Sequence, residues 1–314
     1  MSSYPISSRV IENLRVGNGA GMIRLAAEVA RACESGLTHI TIGTITYAAR
    51  EGNIGDTDGY DPETECSVNA RGMPNRGWLW YQEQLPEMCR AIHQSGKKAR
   101  VSIAGSSPEE IGVLAQRVCG TGVDEIEING GCPNEVNADG LHKPILSYDP
   151  SAVSAVLSEV KYAIGTSMPV AFKTSPVPDD ILPGLVGAIA ESGIVSSVVG
   201  VNTLPGQRML INGKSALRFR AADARDDSPW LDTGGGAGAM LRSDSLRVVR
   251  YLRAHLPAEI SIIAVGGIMS GADVVNALEA GACGFQCATA YLEGDGPHAI
   301  NRILEEFGAL IEMS

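Results

Sequence analysis

Residues 192–203 read Ser-Gly-Ile-Val-Ser-Ser-Val-Val-Gly-Val-Asn-Thr. Gly193 ends a helix-like segment and a β-branched run starts at once. A glycine at the helix C′ position takes positive φ without a Cβ penalty. The joint recurs at Ser35-Gly36 before LTHITIGT, at Thr121-Gly122 before VDEIEING and at Ala280-Gly281 before ACGFQCAT. A second strand-like run falls between successive joints: KKARVSIAG, MPVAFKTS and EISIIAVGG, with LRVGNGAG ahead of the first. Eight strand candidates therefore alternate with helical segments. Mostly apolar runs of this kind belong to a parallel sheet buried on both faces. Eight of them in 314 residues predict a (β/α)8 TIM barrel, and a single domain over residues 1–314. The alternative, a Rossmann-type sheet, is poorly met. Gly17-Asn18-Gly19-Ala20-Gly21 lacks the GxGxxG spacing, and no acidic residue ends strand two.

Composition narrows the function classes. Asp and Glu outnumber Lys and Arg 36 to 25, a net charge of −11, which disfavours nucleic acid as a partner. No apolar run approaches the roughly 20 residues of a membrane span, and the start MSSYPISSRV has no signal-peptide pattern. A cytoplasmic protein is expected, with no membrane partner. The seven cysteines include no CxxC pair, so neither a zinc ribbon nor an iron–sulfur cluster is expected, and no metal site is assigned.

Three predicted loops exceed what a barrel needs: residues 45–78 after strand two, 129–149 after strand four and 202–242 after strand six. In a barrel, loops that follow strands open on the C-terminal face, where the chemistry lies. Disordered insertions are the alternative, weakened by Trp78, Trp80 and Trp230 and by several Gly-Asn or Pro-Asn turns.

Strand seven closes with Val265-Gly266-Gly267-Ile268. Strand eight closes with Cys287-Ala288-Thr289 and opens a helix. Small residues at those two ends let backbone N–H groups reach an anion, so a phosphorylated ligand or cofactor is expected. Lys173 ends strand five, where a buried ammonium must face the barrel mouth or a partner unless it snorkels to the rim. Strand four ends in Asn129-Gly130-Gly131-Cys132-Pro133-Asn134. The two amides suit the edge of a cyclic amide or imide, and the thiol can serve as base, acid or nucleophile. Asn202-Thr203 and Asn69 repeat the amide theme at two other strand ends. Turn capping is the bland alternative for each asparagine taken singly.

The segment from Asn129 to Asn134 resembles the Asn-x-Ser-Cys-Pro-Asn motif of the class 1A dihydroorotate dehydrogenases. The resemblance continues in order through Arg50-Glu-Gly-Asn53, Ser67-Val-Asn69-Ala-Arg-Gly72-Met73-Pro74-Asn75, Phe172-Lys173, Val201-Asn202-Thr203, Gly234 to Gly238, Val265-Gly266-Gly267 and Gln286 to Thr289. It implies an FMN-binding barrel, in which Cys132 removes a proton from substrate ring C5 while hydride passes from C6 to flavin N5. By the same resemblance Asn69, Asn129, Asn134, Asn202 and Thr203 would hold the substrate, with Gly72 and Met73 at its carboxylate. Lys173 would contact flavin, Ala20 and Gly21 would lie under its ring, and Gly43, Thr44, Asn129 and Asn202 would border it. Gly235, Gly266, Gly267, Ala288 and Thr289 would hold its phosphate and ribityl groups. A homodimer acting on a small molecule is the family-level expectation.

Two departures stand out. The family's lysine at the end of strand two is replaced in Ile42-Gly43-Thr44, and Arg71 is the candidate to restore its charge to a substrate carboxylate. The loop from Glu135 to Pro144 is also longer than the family's connection. A paralogue acting on another small ring or activated C=C bond fits the same residues. Two further readings share part of the pattern. One is a tRNA dihydrouridine synthase, disfavoured by the acidic charge. The other is a barrel that binds a phosphorylated metabolite without redox chemistry.

Overall fold

The computed structural model describes Ile6, residues 8–292 and residues 296–312; most of the start MSSYPIS lies outside them. Eight parallel strands close into a barrel: β1 Arg15–Asn18, β2 His39–Ile45, β3 Lys98–Ile103, β4 Glu125–Asn129, β5 Val170–Thr174, β6 Val195–Gly200, β7 Ser261–Val265 and β8 Gly284–Cys287. Each pairs with its neighbours in chain order, and Gly17 opposite His39 and Gly284 opposite Arg15 complete the ring around β1. Eight helices alternate with them: α1 Ala26–Cys33, α2 Trp78–Gln94, α3 Pro108–Cys119, α4 Pro150–Ile164, α5 Leu182–Ser192, α6 Arg242–His255, α7 Gly271–Glu279 and α8 Ala299–Glu312. This is the (β/α)8 architecture expected from the eight runs. None of the described helices is long and apolar enough to cross a membrane.

The repeated joint takes positive φ at Gly122, Gly193 and Gly281 but not at Gly36. Gly36 is glycine for a different reason. A Cβ there would lie 2.6 Å from Leu304 Cδ1, and its N–H donates to Asn301 Oδ1 at 2.7 Å, so it marks the close approach of α8. The helix expected straight after β8 is also corrected: Thr289–Leu292 is a 3-10 turn, and α8 starts only at Ala299.

Because side chains alternate along a strand, each barrel strand has an outer and an inner set. Ile40, Ile42, Ala99, Val101, Ile126, Ile128, Val170, Phe172 and Phe285 join the apolar core beneath the helices. Ala171, Val199, Ile263 and Val265 form a separate apolar cluster inside β5, β6 and β7. Much of the remaining interior is polar or charged: Arg100 of β3, Glu125 and Glu127 of β4, Lys173 of β5, Ser197 of β6 and Gln286 of β8 are all buried.

The three long loops fold onto one another. Asp58–Asp61, Cys66–Asn69, Gly234–Gly238 and Leu204–Gln207 make an antiparallel four-stranded sheet, and Asn53–Asp56 pairs with Arg218–Ala221. Val68 and Ala70 from the first loop, Val136 from the second and Met209, Leu217, Phe219 and Ala221 from the third share a core of their own. Full burial of side chains such as Leu217 and Phe219 stabilises by roughly 1.5–3 kcal/mol each. Ordered insertions, not disordered ones, therefore cover the C-terminal end of the barrel.

Candidate active site

A cavity of about 1180 Å³, counting its open mouth, lies between the strand ends and the loop sheet. It brings together Ala20, Gly21, Thr44, Asn69, Arg71, Gly72, Met73, Asn129, Cys132, Asn134, Lys173, Asn202, Thr203, Gly266, Gly267, Ala288 and Thr289, all named from the sequence. Gly43 and Gly235 do not line it. Gly43 is turned into the wall: at φ +106° its carbonyl accepts the Gly21 N–H at 2.5 Å, and a Cβ would lie 2.6 Å from the Ser102 carbonyl oxygen. Gly235 stands behind the amides, where a Cβ would fall on Thr203 Oγ1 and 3.1 Å from Asn134 Nδ2. It lies beside Thr203 and Asn134.

The asparagines are oriented by one another. Asn134 Nδ2 donates to Asn69 Oδ1 at 2.8 Å, and Asn202 Nδ2 donates to Asn129 Oδ1 at 3.0 Å. Asn129 Nδ2 in turn donates to Thr44 Oγ1 at 3.0 Å. Register helps place the first pair: Asn69 lies opposite Asp58 and Gly235 in the loop sheet, so its side chain shares a face with that of Asp58, and the missing Cβ at Gly235 leaves room for Asn134. Two buried oxygens, Asn134 Oδ1 and Thr203 Oγ1, have no protein hydrogen-bond partner. An orphaned buried polar atom costs about 1–3 kcal/mol, which a ligand with matching groups recovers.

Cys132 sits on the turn after β4. Burial pushes its thiol up to about 12; the Asn134 backbone N–H, Arg50 and Lys173 favour the thiolate but do not offset the desolvation, and Glu135 adds to it. Lys173 is 4% exposed, so it does not snorkel. Its Nζ donates to Gln286 Oε1 at 3.4 Å. Burial lowers the Lys173 pKa, with Glu127 opposing and Arg100 adding to the shift. Arg71 lies at the mouth, where its Nε donates to Asp58 Oδ1 at 2.6 Å. The long loop after Cys132 is braced rather than loose. Glu135 pairs with Arg50 and, at 3.2 Å, with Lys143, and Asp139 pairs with Arg225.

Sequence reasoning missed Asp58, Gln286 and the interior acids. Asp58 carries no local signal, because its place depends on a sheet formed between distant loops. The interior charges did leave one: Glu125 and Glu127 alternate with Ile126 and Ile128, and Arg100 stands between Ala99 and Val101. Charges at period two inside otherwise apolar strands mark a polar inner face.

Comparison with known proteins agrees with this geometry. A family model described as dihydroorotate dehydrogenase matches residues 11–311. The catalytic subunit of dihydroorotate dehydrogenase B (NAD(+)) from Methanopyrus kandleri is 32% identical over 280 residues, covering 87% of this chain and 81% of that protein. The same-named subunit from Pyrococcus furiosus is 31% identical over 296 residues, covering 87% and 89%. A putative dihydroorotate dehydrogenase A (fumarate) from Streptococcus uberis is 27% identical over 264 residues, covering 84% and 78%. Among solved structures, DHODH from Eimeria tenella in complex with ferulenol shares the fold, with a TM-score of 0.78 at 19% identity over 95% of this chain and 81% of that one. With its family match running almost the whole length of the barrel and its loops, the chain belongs to the dihydroorotate dehydrogenase family.

Proposed function

We propose that the protein is an FMN-dependent oxidoreductase acting on a CH–CH bond of a dihydropyrimidine ring, in the first instance converting dihydroorotate to orotate. The observation that carries this reading is the meeting of one thiol, four mutually oriented asparagines and a buried lysine in one cavity. Relatives named for this activity support it.

The residues present fit FMN. Gly21 has open space where a Cβ would stand, and Gly266 and Gly267 hold positive φ at the end of β7, where a side chain would collide with Leu241 and Arg242. Ala288 and Thr289 at the end of β8 and Lys173 at the end of β5 complete a surface for phosphate and ring. FMN, when bound, would supply the hydride acceptor that no side chain provides. The chain's own part is position and proton transfer. Asn69, Asn134, Asn129 and Asn202 fix the ring by its amide edges, with the Asn134 and Thr203 oxygens accepting from ring N–H or water. Cys132 Sγ accepts the C5 proton, and the enclosing loop excludes water from the reacting face.

The same reading carries one domain, a cytoplasmic site of action and a homodimer. Relatives named for NAD(+) and for fumarate are both similar, so the test includes both acceptors. Purified protein is expected to be yellow, to bleach anaerobically with dihydroorotate, and to recover colour with one acceptor. A colourless protein that takes up no FMN overturns the proposal. A yellow protein bleached only by NAD(P)H or by another reduced ring overturns the substrate.

A further inference from the structure

A chain of buried polar groups runs through the barrel interior beneath the site. Lys173 Nζ donates to Gln286 Oε1 at 3.4 Å, and the other end of the same amide, Nε2, donates to Glu127 Oε2 at 3.0 Å. Arg100 Nη1 stands 3.6 Å from Glu127 Oε2, and Arg100 Nε and Nη2 both donate to Glu125 Oε2, at 2.7 and 2.5 Å. Arg15 Nη2 at 2.6 Å and Ser197 Oγ at 2.7 Å close the chain on Glu125. Lysine, acid, arginine, acid and arginine thus alternate in sign from the mouth to the floor. Lys173, Glu127, Arg100 and Glu125 are each at most 6% exposed.

Buried ion pairs seldom add net stability relative to apolar packing of the same volume. A barrel interior is ordinarily filled with branched apolar side chains, as it is here on β5, β6 and β7. Packing alone does not explain the charged half. Its geometry does carry one specific instruction. A carboxylate accepts hydrogen bonds and cannot donate them, so Glu127 fixes which end of the Gln286 amide faces it. The carbonyl end is thereby turned to Lys173. Were the amide reversed, its NH₂ would meet an ammonium.

We propose that Glu127, acting through Gln286, is a positioning residue that keeps the Lys173 ammonium charged and aimed into the cavity, and so sets the redox potential of the flavin. The proposal rests on the FMN reading above. The charged and titratable groups facing Lys173 are Glu127 and Arg100 from inside the barrel and Cys132 from the mouth. Arg100 works against the ammonium, Glu127 works for it, and Gln286 transmits the second effect. Removal of Glu127 takes away the one carboxylate beside Lys173 while Arg100 keeps Glu125, and of the two cations the one that can release its proton is Lys173.

The test is the two-electron midpoint potential of FMN-loaded protein at pH 7 and at pH 6, in the unmodified chain and in Glu127→Gln, Gln286→Leu and the double variant. Glu127→Gln is expected to favour oxidised flavin at least tenfold at a fixed potential, about 30 mV for a two-electron couple. The shift is expected to shrink as the pH is lowered, because protonation of Lys173 restores the charge that Glu127 otherwise holds. Gln286→Leu leaves the Glu127 charge in place and is expected to shift the potential the same way, with the double variant no further displaced than the larger single shift. A rise in potential on Glu127→Gln shows direct through-space repulsion by the acid and overturns the relay. So does an unchanged potential in Gln286→Leu, which also decides the matter if Glu127→Gln fails to fold. Protein that never binds FMN overturns the functional reading and this inference together, whereas loaded protein with unchanged potentials overturns only this one.

Discussion

Arg71 and Asp58 form a side-on ion pair at the cavity mouth: Nε meets Oδ1 at 2.6 Å, while Asp58 Oδ2 accepts from Thr57 Oγ1 at 2.9 Å. The pair leaves both terminal amino groups of Arg71 without a protein partner among the described residues. An arginine held through Nε presents its end-on edge to a carboxylate. Arg71→Ala is therefore expected to weaken orotate binding by roughly 10- to 100-fold, from the 1.5–3 kcal/mol of a hydrogen bond to a charged group, and to leave uracil binding nearly unchanged. Titration of the flavin spectrum with each ligand measures both. Equal losses for the two ligands would remove Arg71 from carboxylate recognition.

Cys132 gives a kinetic signature. With its thiol pushed up to about 12 by burial, the thiolate is the minor form at neutral pH, and raising the pH increases it. The rate of anaerobic flavin reduction by substrate is expected to climb through the range from pH 6 to 10 without levelling. Cys132→Ala is expected to slow that step by 10²- to 10⁴-fold, the usual contribution of a general base, with FMN content unchanged. Stopped-flow reduction across that pH range checks both statements, and a flat profile in the unmodified enzyme argues for a different base.

Restoring a lysine at the end of β2 is expected to fail. Gly43 holds φ +106° and faces the Ser102 carbonyl, so Gly43→Lys incurs both a strained backbone, of order 1–3 kcal/mol, and a displaced β3. Chemical denaturation should show a lower midpoint for Gly43→Lys and also for Gly43→Ala. Unchanged midpoints would mean that the wall at this point yields to a side chain.

His39 makes the barrel floor sensitive to acid. Burial lowers its pKa to about 4, with Arg15 and Arg100 adding to the shift. The unfolded chain binds the proton near 6.5, so the folded state holds its full stability above that pH and loses it as the pH falls toward 4. The loss amounts to roughly 3 kcal/mol at most, at 1.36 kcal/mol per pH unit. Melting temperatures measured from pH 7 to pH 4 are expected to fall in that window, and less steeply in His39→Gln.

Much of this fold was readable because its instructions are local. Runs such as Ile194-Val195-Ser196-Ser197-Val198-Val199, opened by the helix-ending Gly193, declare buried parallel strands without reference to any other part of the chain. The cavity was largely readable for a related reason: barrel strands all deliver their last residues to one face, so Asn129, Lys173, Asn202 and Ala288 meet wherever eight strands close. What escaped was set by pairing across long separations. Asp58 reaches the mouth only because residues 58–61 pair with 66–69 and these pair with 234–238. Gly36 carried the right residue type for a helix end, yet its reason lies 265 positions away at Asn301.

The ladder that holds Asn69 between Asp58 and Gly235 imposes a rule of parity on how this protein can change. Side chains in a strand repeat every two residues, so one residue inserted or deleted within 58–61, 66–69 or 234–238 turns Asn69 and its neighbours to the opposite face. The four-residue turn at 62–65 is part of the same count, because turn length sets hairpin register, whereas the stretch between Ala221 and the Leu231–Phe219 bridge lies outside it. Variation over this cavity is thereby channelled into the tips of its loops, while the strands that carry its polar groups admit substitution but not insertion.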